Sequence, residues 1–355
     1  MAIFPRIEPL LGSDLYCLQK RGTVSPASTV VETDSLNPSW QEQARRELAG
    51  IKSSRCGWSY GRRGAPCVEP TVLACLALLV SGNEESRGDD LAHSRRAADW
   101  VAAIQHPDGL LPISQVVEGP GWTTPFAILL WCTLAVHDSA RARAVLWLLS
   151  LAGNTGDRGA EARAVVGHDQ TLAGWPWVEG THSWVEPTAM SILALGRAGL
   201  GNHPRVAKGT RMILDRALPH GGWNCGNKTV FGRELRPQPV PTAVSLLALA
   251  AQGIRSPAAT RGVDYLQRAL PGLRAPISLG WSLLALRAHQ AMPPGADTAL
   301  ERAFSDCAGR LDSVRSLALL LLASRQESPS LLTSSDSSQA QRHLTTKDMQ
   351  RESSW

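Results

Sequence analysis

The 355-residue sequence predicts an all-α fold, an α/α toroid in which six inner and six outer helices make one α6-α6 barrel. Three observations carry this. Apolar helical runs begin at Pro70, Pro125, Pro187 and Pro241, at intervals of 55, 62 and 54 residues, and a period near fifty signals stacked units that share one core. Each run is followed by a more amphipathic stretch, so the unit is a helix pair. The chain also starts with an unpaired outer pattern and ends with an unpaired inner one, which would meet if the ring closed. An open stack of helix pairs is the alternative form.

Residues 1–38 show no strong period and are expected to be an N-terminal extension. Ser39 to Ile51 (Trp40, Ala44, Leu48, Ile51) reads as the first outer helix. Cys67-Val68-Glu69-Pro70-Thr71 then opens VLACLALLV. Proline suits a first helical turn because its φ is already helical and its missing N–H would have had no partner there. The run after it is apolar on all sides, the mark of a helix buried all round. Asp89-Asp90 after Gly88 is expected in a solvated turn, before an outer helix at His93 to Gln105 with Trp100. Thr123-Thr124-Pro125 opens FAILLWCTLAV, with Ala140 to Leu151 outside it. The fullest statement of the repeat runs from His168 to Leu195, where a Trp-rich loop enters Glu186-Pro187-Thr188 and a second all-apolar run. Pro204 to Leu218 follows as its outer partner. Val240-Pro241-Thr242 opens AVSLLALAA and Pro276-Ile277-Ser278 opens LGWSLLALRA, with Thr260 to Leu270 and Asp297 to Cys307 outside; Asp312 to Ala323 is the last inner helix. The toroid is thus expected over 39–324. Residues 325–355 are Ser/Gln-rich and expected to be a disordered C-terminal tail.

Composition agrees with one large core, at 43% hydrophobic residues. The charge of +5 is scattered and the tryptophans are not interleaved with a basic stripe, which argues against nucleic acid. No basic leader precedes an apolar core, and no apolar run reaches about eighteen residues, so no transmembrane segment is expected and the location expected is cytoplasmic. The seven cysteines lack CxxC spacing; Cys75 and Cys132 fall inside inner helices and read as reduced packing residues.

Arg96-Ala97 with Trp100-Val101, Gln105 and Gly109 resembles the QW repeat of squalene–hopene cyclases, and Lys208-Gly209 with Met212-Ile213 and Gly222-Trp223 is a looser copy. From about Trp40 to Ala323 the repeats resemble the terpenoid cyclase and protein prenyltransferase superfamily, toroids of alternating inner and outer helices. GWPWVEGTHSWVEPTA is similar to single-domain bacterial members described as squalene-cyclase-like or prenyltransferase-like. Class II cyclases open an inner helix with Asp-x-Asp-Asp-Thr-Ala, whose middle Asp protonates an alkene or epoxide. Trp184-Val185-Glu186-Pro187-Thr188-Ala189 occupies that frame, with Glu186 on the proton donor and Trp184 and Pro187 in place of the flanking aspartates. The resemblance thus implies Glu186 as catalytic acid. His182 and Asp169, beside the loop, are candidates to hold its conjugate base by hydrogen bonds. The prenyltransferase branch binds zinc through Asp-x-Cys and a later His. Cys225 has Trp223-Asn224 before it and no such Asp, so neither a metal nor another cofactor is expected.

Trp58, Trp122, Trp175, Trp177, Trp184 and Trp223 all precede inner helices and are expected at one mouth of the ring. There they could bind an apolar ligand and stabilise a carbocation, or staple the loops. Glu69 repeats the Val-Glu-Pro-Thr motif and joins the ligand-binding set. Summed helix dipoles favour a carboxylate at this mouth, whereas burial favours the acid. Arg62, Arg63, Lys228, Arg233 and Arg236 could face a diphosphate there, although solvated loop charge is the stronger reading. Three functions fit. They are an enzyme that protonates an isoprenoid, a toroid that binds an apolar ligand without turnover, and a toroid that grips a protein partner; contact with a membrane surface is compatible with each. Any site should lie beside the long loops before Pro70, Pro125, Pro187 and Pro241.

Overall fold

The computed structural model describes residues 38–51, 57–156, 159–307 and 313–333. Among them the outer helices are α1 (Trp40–Gly50), α3 (Glu84–Ala103), α5 (Asp138–Ser150), α8 (Pro204–Asp215), α10 (Pro257–Ala269) and α12 (Ala296–Cys307). The inner ones are α2 (Val68–Ser81), α4 (Thr124–Leu134), α7 (Val185–Arg197), α9 (Pro239–Ala251), α11 (Pro276–Ala288) and α13 (Val314–Ser324). Each inner helix packs on the next, and α13 packs on α2. The ring is therefore closed. At the seam α1 lies on α2, α12 and α13, with Trp40 against Phe304 at 5.9 Å between ring centres. Burial separates the two sets as the patterns predict: α2 buries nearly its whole circumference, whereas α10 buries only Ala259, Gly262 and Leu266 on one face.

The N-terminal ends of the inner helices are tied into a belt. The first N–H groups of a helix have no partner within it, and Cys67, Trp184 and Ser313, at the cap positions, give no side-chain bond. Loop carbonyls of other units accept these protons instead: Val68 N–H donates to Ile113 O (2.9 Å), Val185 N–H to Cys225 O (3.0 Å), and Val314 N–H to Tyr60 O (3.0 Å). The last of these bonds closes the ring at the mouth.

Three expectations need correction. Helix α3 starts at Glu84 rather than His93, because Asn83 and Ser86 form a capping box there. Asp90 consequently lies inside the helix, where it is buried and pairs with Arg45 of α1 instead of facing solvent in a turn. Two small elements also appear in the long connections. They are helix α6 (Gly159–Val166) and the hairpin of β1 (Thr229–Val230) and β2 (Arg233–Glu234), turned by Phe231 and Gly232 in the left-handed region. Finally, Ser328–Thr333, assigned to the tail by its composition, forms α14. It packs on α4, α7, α9 and α11 beyond the C-terminal end of α13, filling the end of the ring opposite the belt. Residues 1–37 and 334–355 of the expected extension and tail lie outside the described residues.

Leu332 of α14 is 2% exposed. Leu332→Ala is expected to destabilise the protein by about 2–4 kcal/mol, within the usual range for a buried leucine. A urea midpoint that did not move would show that α14 only rests on the ring.

Candidate functional site

The second residue of each inner helix falls at the same level of the belt. In ring order these are Glu69, Pro125, Glu186, Val240, Ile277 and Arg315, an apolar side and a charged side of one mouth. Three of them interact. Glu69 is 4% exposed; its Oε2 accepts from the Tyr60 hydroxyl at 2.7 Å, and its Oε1 lies 3.1 Å from Arg315 Nε, close but not aligned as a hydrogen bond. Burial pushes the Glu69 carboxyl above the usual range, while Arg315 and the Tyr60 hydroxyl pull it back. Burial and the Glu69 charge push the Tyr60 phenol up, so it keeps its proton and remains a donor.

Glu186 is the less committed carboxyl. It makes no hydrogen bond or ion pair among the described residues. Burial raises its pKa, Arg315 lowers it, and the neighbouring Glu69 raises it further. The two glutamates thus share one guanidinium, and both ionised they would leave a net negative charge in a partly dry mouth. Two thiols feel the same field: burial and then Glu69 raise Cys67, and burial and then Glu186 raise Cys225. Neither Tyr60 nor Arg315 stands out in the sequence. The one available signal was the common register of Glu69, Glu186 and Arg315 at helix starts, visible only once the start of α13 is placed.

The expected partners of Glu186 are elsewhere. No bond joins His182 or Asp169 to it among the described residues. Asp169 accepts from Thr171 N–H (2.9 Å) and the Thr171 hydroxyl (2.8 Å), a local turn, and lies 3.7 Å from Arg163. His182 is exposed and forms a bridge with Asn154. With His168, Trp184 and Arg216 it lines a cleft of about 570 Å³ beside the mouth. His168 is buried, and burial and the Arg216 charge lower its pKa to about 4. Between that value and the ordinary histidine pKa near 6.5 the unfolded chain binds a proton that the folded chain does not, so this group removes stability as pH falls through the window. His168→Asn is expected to lose less stability than the parent between pH 6.5 and 4.5, as read from urea midpoints. An equal loss in both would place the titration elsewhere.

The tryptophans divide into two groups. Trp58, Trp175 and Trp223 are buried between outer helices, with indole N–H groups donating to Leu48 O (2.9 Å), Leu148 O (2.7 Å) and Ile213 O (2.7 Å). Their backbone N–H groups donate to Thr71, Thr188 and Thr242 hydroxyls, each at 2.8 Å, which pins each loop to its inner helix. Glycine precedes each Trp because the Thr side chain lies against it: a Cβ on Gly57, Gly174 or Gly222 would collide with that hydroxyl. Gly209 and Gly262 in the following outer helices leave room for the Trp175 and Trp223 rings. These three rings are staples, not ligand wall. Trp122, Trp177 and Trp184 remain nearer the surface, Trp122 edge-on to Trp177 at 5.7 Å and Trp184 39% exposed. The resemblance to a QW repeat also has a structural content, since Gln105 donates to Gly109 O (3.1 Å) and Ala140 O (2.9 Å), linking α3 to α5.

All the exposed large apolar side chains among the described residues lie in three connections: Val116 and Val117 before α4; Val165, Val178 and Trp184 before α7; Phe231 and Leu235 before α9. The mouth is lopsided, with its apolar surface on the long-loop side. A closed ring of inner helices packed one on the next, with a carboxyl pair at one mouth, defines an α/α toroid. In sequence the chain is 26% identical over 221 residues to a squalene–hopene cyclase from Bradyrhizobium diazoefficiens, covering 54% of this chain and 31% of that enzyme. The matched part spans about a third of that curated relative, to which the chain is similar at the level of its repeats. Among solved structures, a protein from Actinoplanes shares the fold with a TM-score of 0.51 at 16% identity, over 82% of this chain and 99% of that one. A type II terpene cyclase from Scytonema gives 0.49 at 16% identity, over 75% of this chain and 76% of that one. No family profile matches the chain. No helix among the described residues is long and apolar enough to cross a membrane, and no group of three or more His, Cys, Asp or Glu among them could hold a metal ion.

Proposed function

We propose that this chain is a class II cyclase-type enzyme that protonates an isoprenoid at the belt end of its ring, with Glu186 as the acid. The observation that supports it is the inequality of the two glutamates. Glu69 has its charge stabilised by Tyr60 and Arg315, whereas Glu186 is unbonded and raised in pKa by burial and by Glu69. Burial raises both carboxyls, and on this reading the Tyr60 and Arg315 partners of Glu69 leave the shared proton to Glu186. In the reaction that proton adds to one alkene carbon, the π electrons form the new C–H bond, and the other carbon becomes a cation. Ring closure moves the cation along the chain, and loss of a proton or addition of water ends it. Trp122, Trp177 and Trp184 supply aromatic faces for the cation, and the exposed apolar loops supply a wall for the chain.

The test is incubation of acyclic isoprenoids, squalene included, in D₂O with mass analysis of any product. The expected result is a cyclic product carrying one solvent deuterium. A second reading, an apolar-ligand toroid without turnover, draws on α14 filling the opposite end of the ring. Saturable binding of the same isoprenoids with no deuterated product would favour it and overturn the first.

A further inference from the structure

The cleft beside the mouth is a separate feature. Its volume of about 570 Å³ lies within the ~300–1,000 Å³ of small-molecule sites. It is walled by Asn154, His168, Gln170, Trp184, Arg216 and Asn227, so its polar groups converge on one space. Arg216 is 6% exposed. One of its terminal nitrogens donates to Gly226 O at 3.3 Å, but its Nε has no hydrogen bond, and neither has the buried Oε1 of Gln170. A guanidinium this deep with an idle donor is costly unless something accepts from it.

The nearby carboxylates do not fill that role. Asp215 accepts the Asp169 N–H at 3.0 Å, and Asp169 is engaged by Thr171 and Arg163. His168 stays neutral at physiological pH and so does not compete as a cation, while Lys228 adds positive charge from beyond it. The cleft offers a buried planar donor, amide groups, and one apolar wall in Trp184. An oxyanion can take two parallel hydrogen bonds from a guanidinium, which is the contact Arg216 lacks.

We propose that this cleft binds a small molecule through a carboxylate or phosphoryl oxyanion seated on Arg216, with Gln170, Asn154 and Asn227 reading the polar groups around it and Trp184 covering its apolar part. The site stands whether or not Glu186 protonates an isoprenoid, because its test reads binding alone.

Isothermal titration of the full chain at low salt with inorganic phosphate, inorganic pyrophosphate and succinate decides it, and comparison of the three separates a phosphoryl from a carboxylate preference. Saturable binding of at least one of them is expected at Kd values of about 1 mM or tighter. Arg216→Gln should weaken it at least tenfold, and Arg216→Lys should recover only part of the loss because lysine keeps the charge without the fork. Gln170→Glu, a same-shape change that places a carboxylate in the cleft, should weaken it by a similar factor with an unchanged urea midpoint. If Arg216→Gln does not fold, Gln170→Glu carries the decision. No saturable binding of any of the three anions by the parent, or parent-like affinity in Gln170→Glu, would overturn the proposal.

Discussion

Glu186→Gln is expected to reduce isoprenoid turnover by about 10²-fold or more, the usual range for loss of a general acid. Glutamine keeps the shape of the side chain and removes only the transferable proton. Since Glu186 has no bond to lose among the described residues, the fold should survive. The stability readout has a defined sign. A carboxyl whose pKa is raised on folding binds more protons in the native state than in the unfolded chain, so its contribution to stability falls as pH rises past the ordinary glutamate value of about 4.3 and through the raised one. Relative to the parent, Glu186→Gln should therefore be more stable at pH 8 than at pH 4, while parent activity should fall as pH rises and Glu186 ionises. Turnover equal to the parent's would exclude Glu186 as the acid.

Trp175→Ala is expected to destabilise the protein by about 3–5 kcal/mol, the range for deletion of a large buried aromatic. Its ring fills the gap between α5 and α8, its N–H donates to Leu148 O, and the Arg205 guanidinium lies over it at 3.7 Å. Arg205 in turn donates to Leu151, Ala173 and Gly174 carbonyls, so one indole holds a loop, two outer helices and a half-buried cation in register. The contrast is Trp184→Ala, which should cost little because that ring is 39% exposed. Urea unfolding of both variants separates the roles. A small loss at Trp175 with a large one at Trp184 would reverse the assignment of staple and surface ring.

The twelve described helices of the ring and its closure were legible from local patterns, although the start of α3, α6, the small hairpin and α14 were not. Proline at the first helical positions, apolar character on all sides, and an amphipathic partner after each run are local properties, and local physics is enough to read them. The closure also followed, since an outer helix at Trp40 and an inner one at Leu317 each lacked a partner that the other supplied. What the sequence could not rank was the tryptophans: six loop tryptophans look alike in sequence, yet Trp175 and Trp223 are drawn inward because Gly209 and Gly262, on helices formed later in the chain, leave space for their rings. The boundary of α3 was missed because Asp89 and Asp90 read as turn residues until Arg45 is known to meet one of them across the α1–α3 contact. Only the tertiary structure set Glu69 against Arg315, 246 residues away, and so decided which glutamate has a charged partner and which has none among the described residues. Such a pairing depends on which two helix starts the ring brings side by side, and no local propensity encodes that.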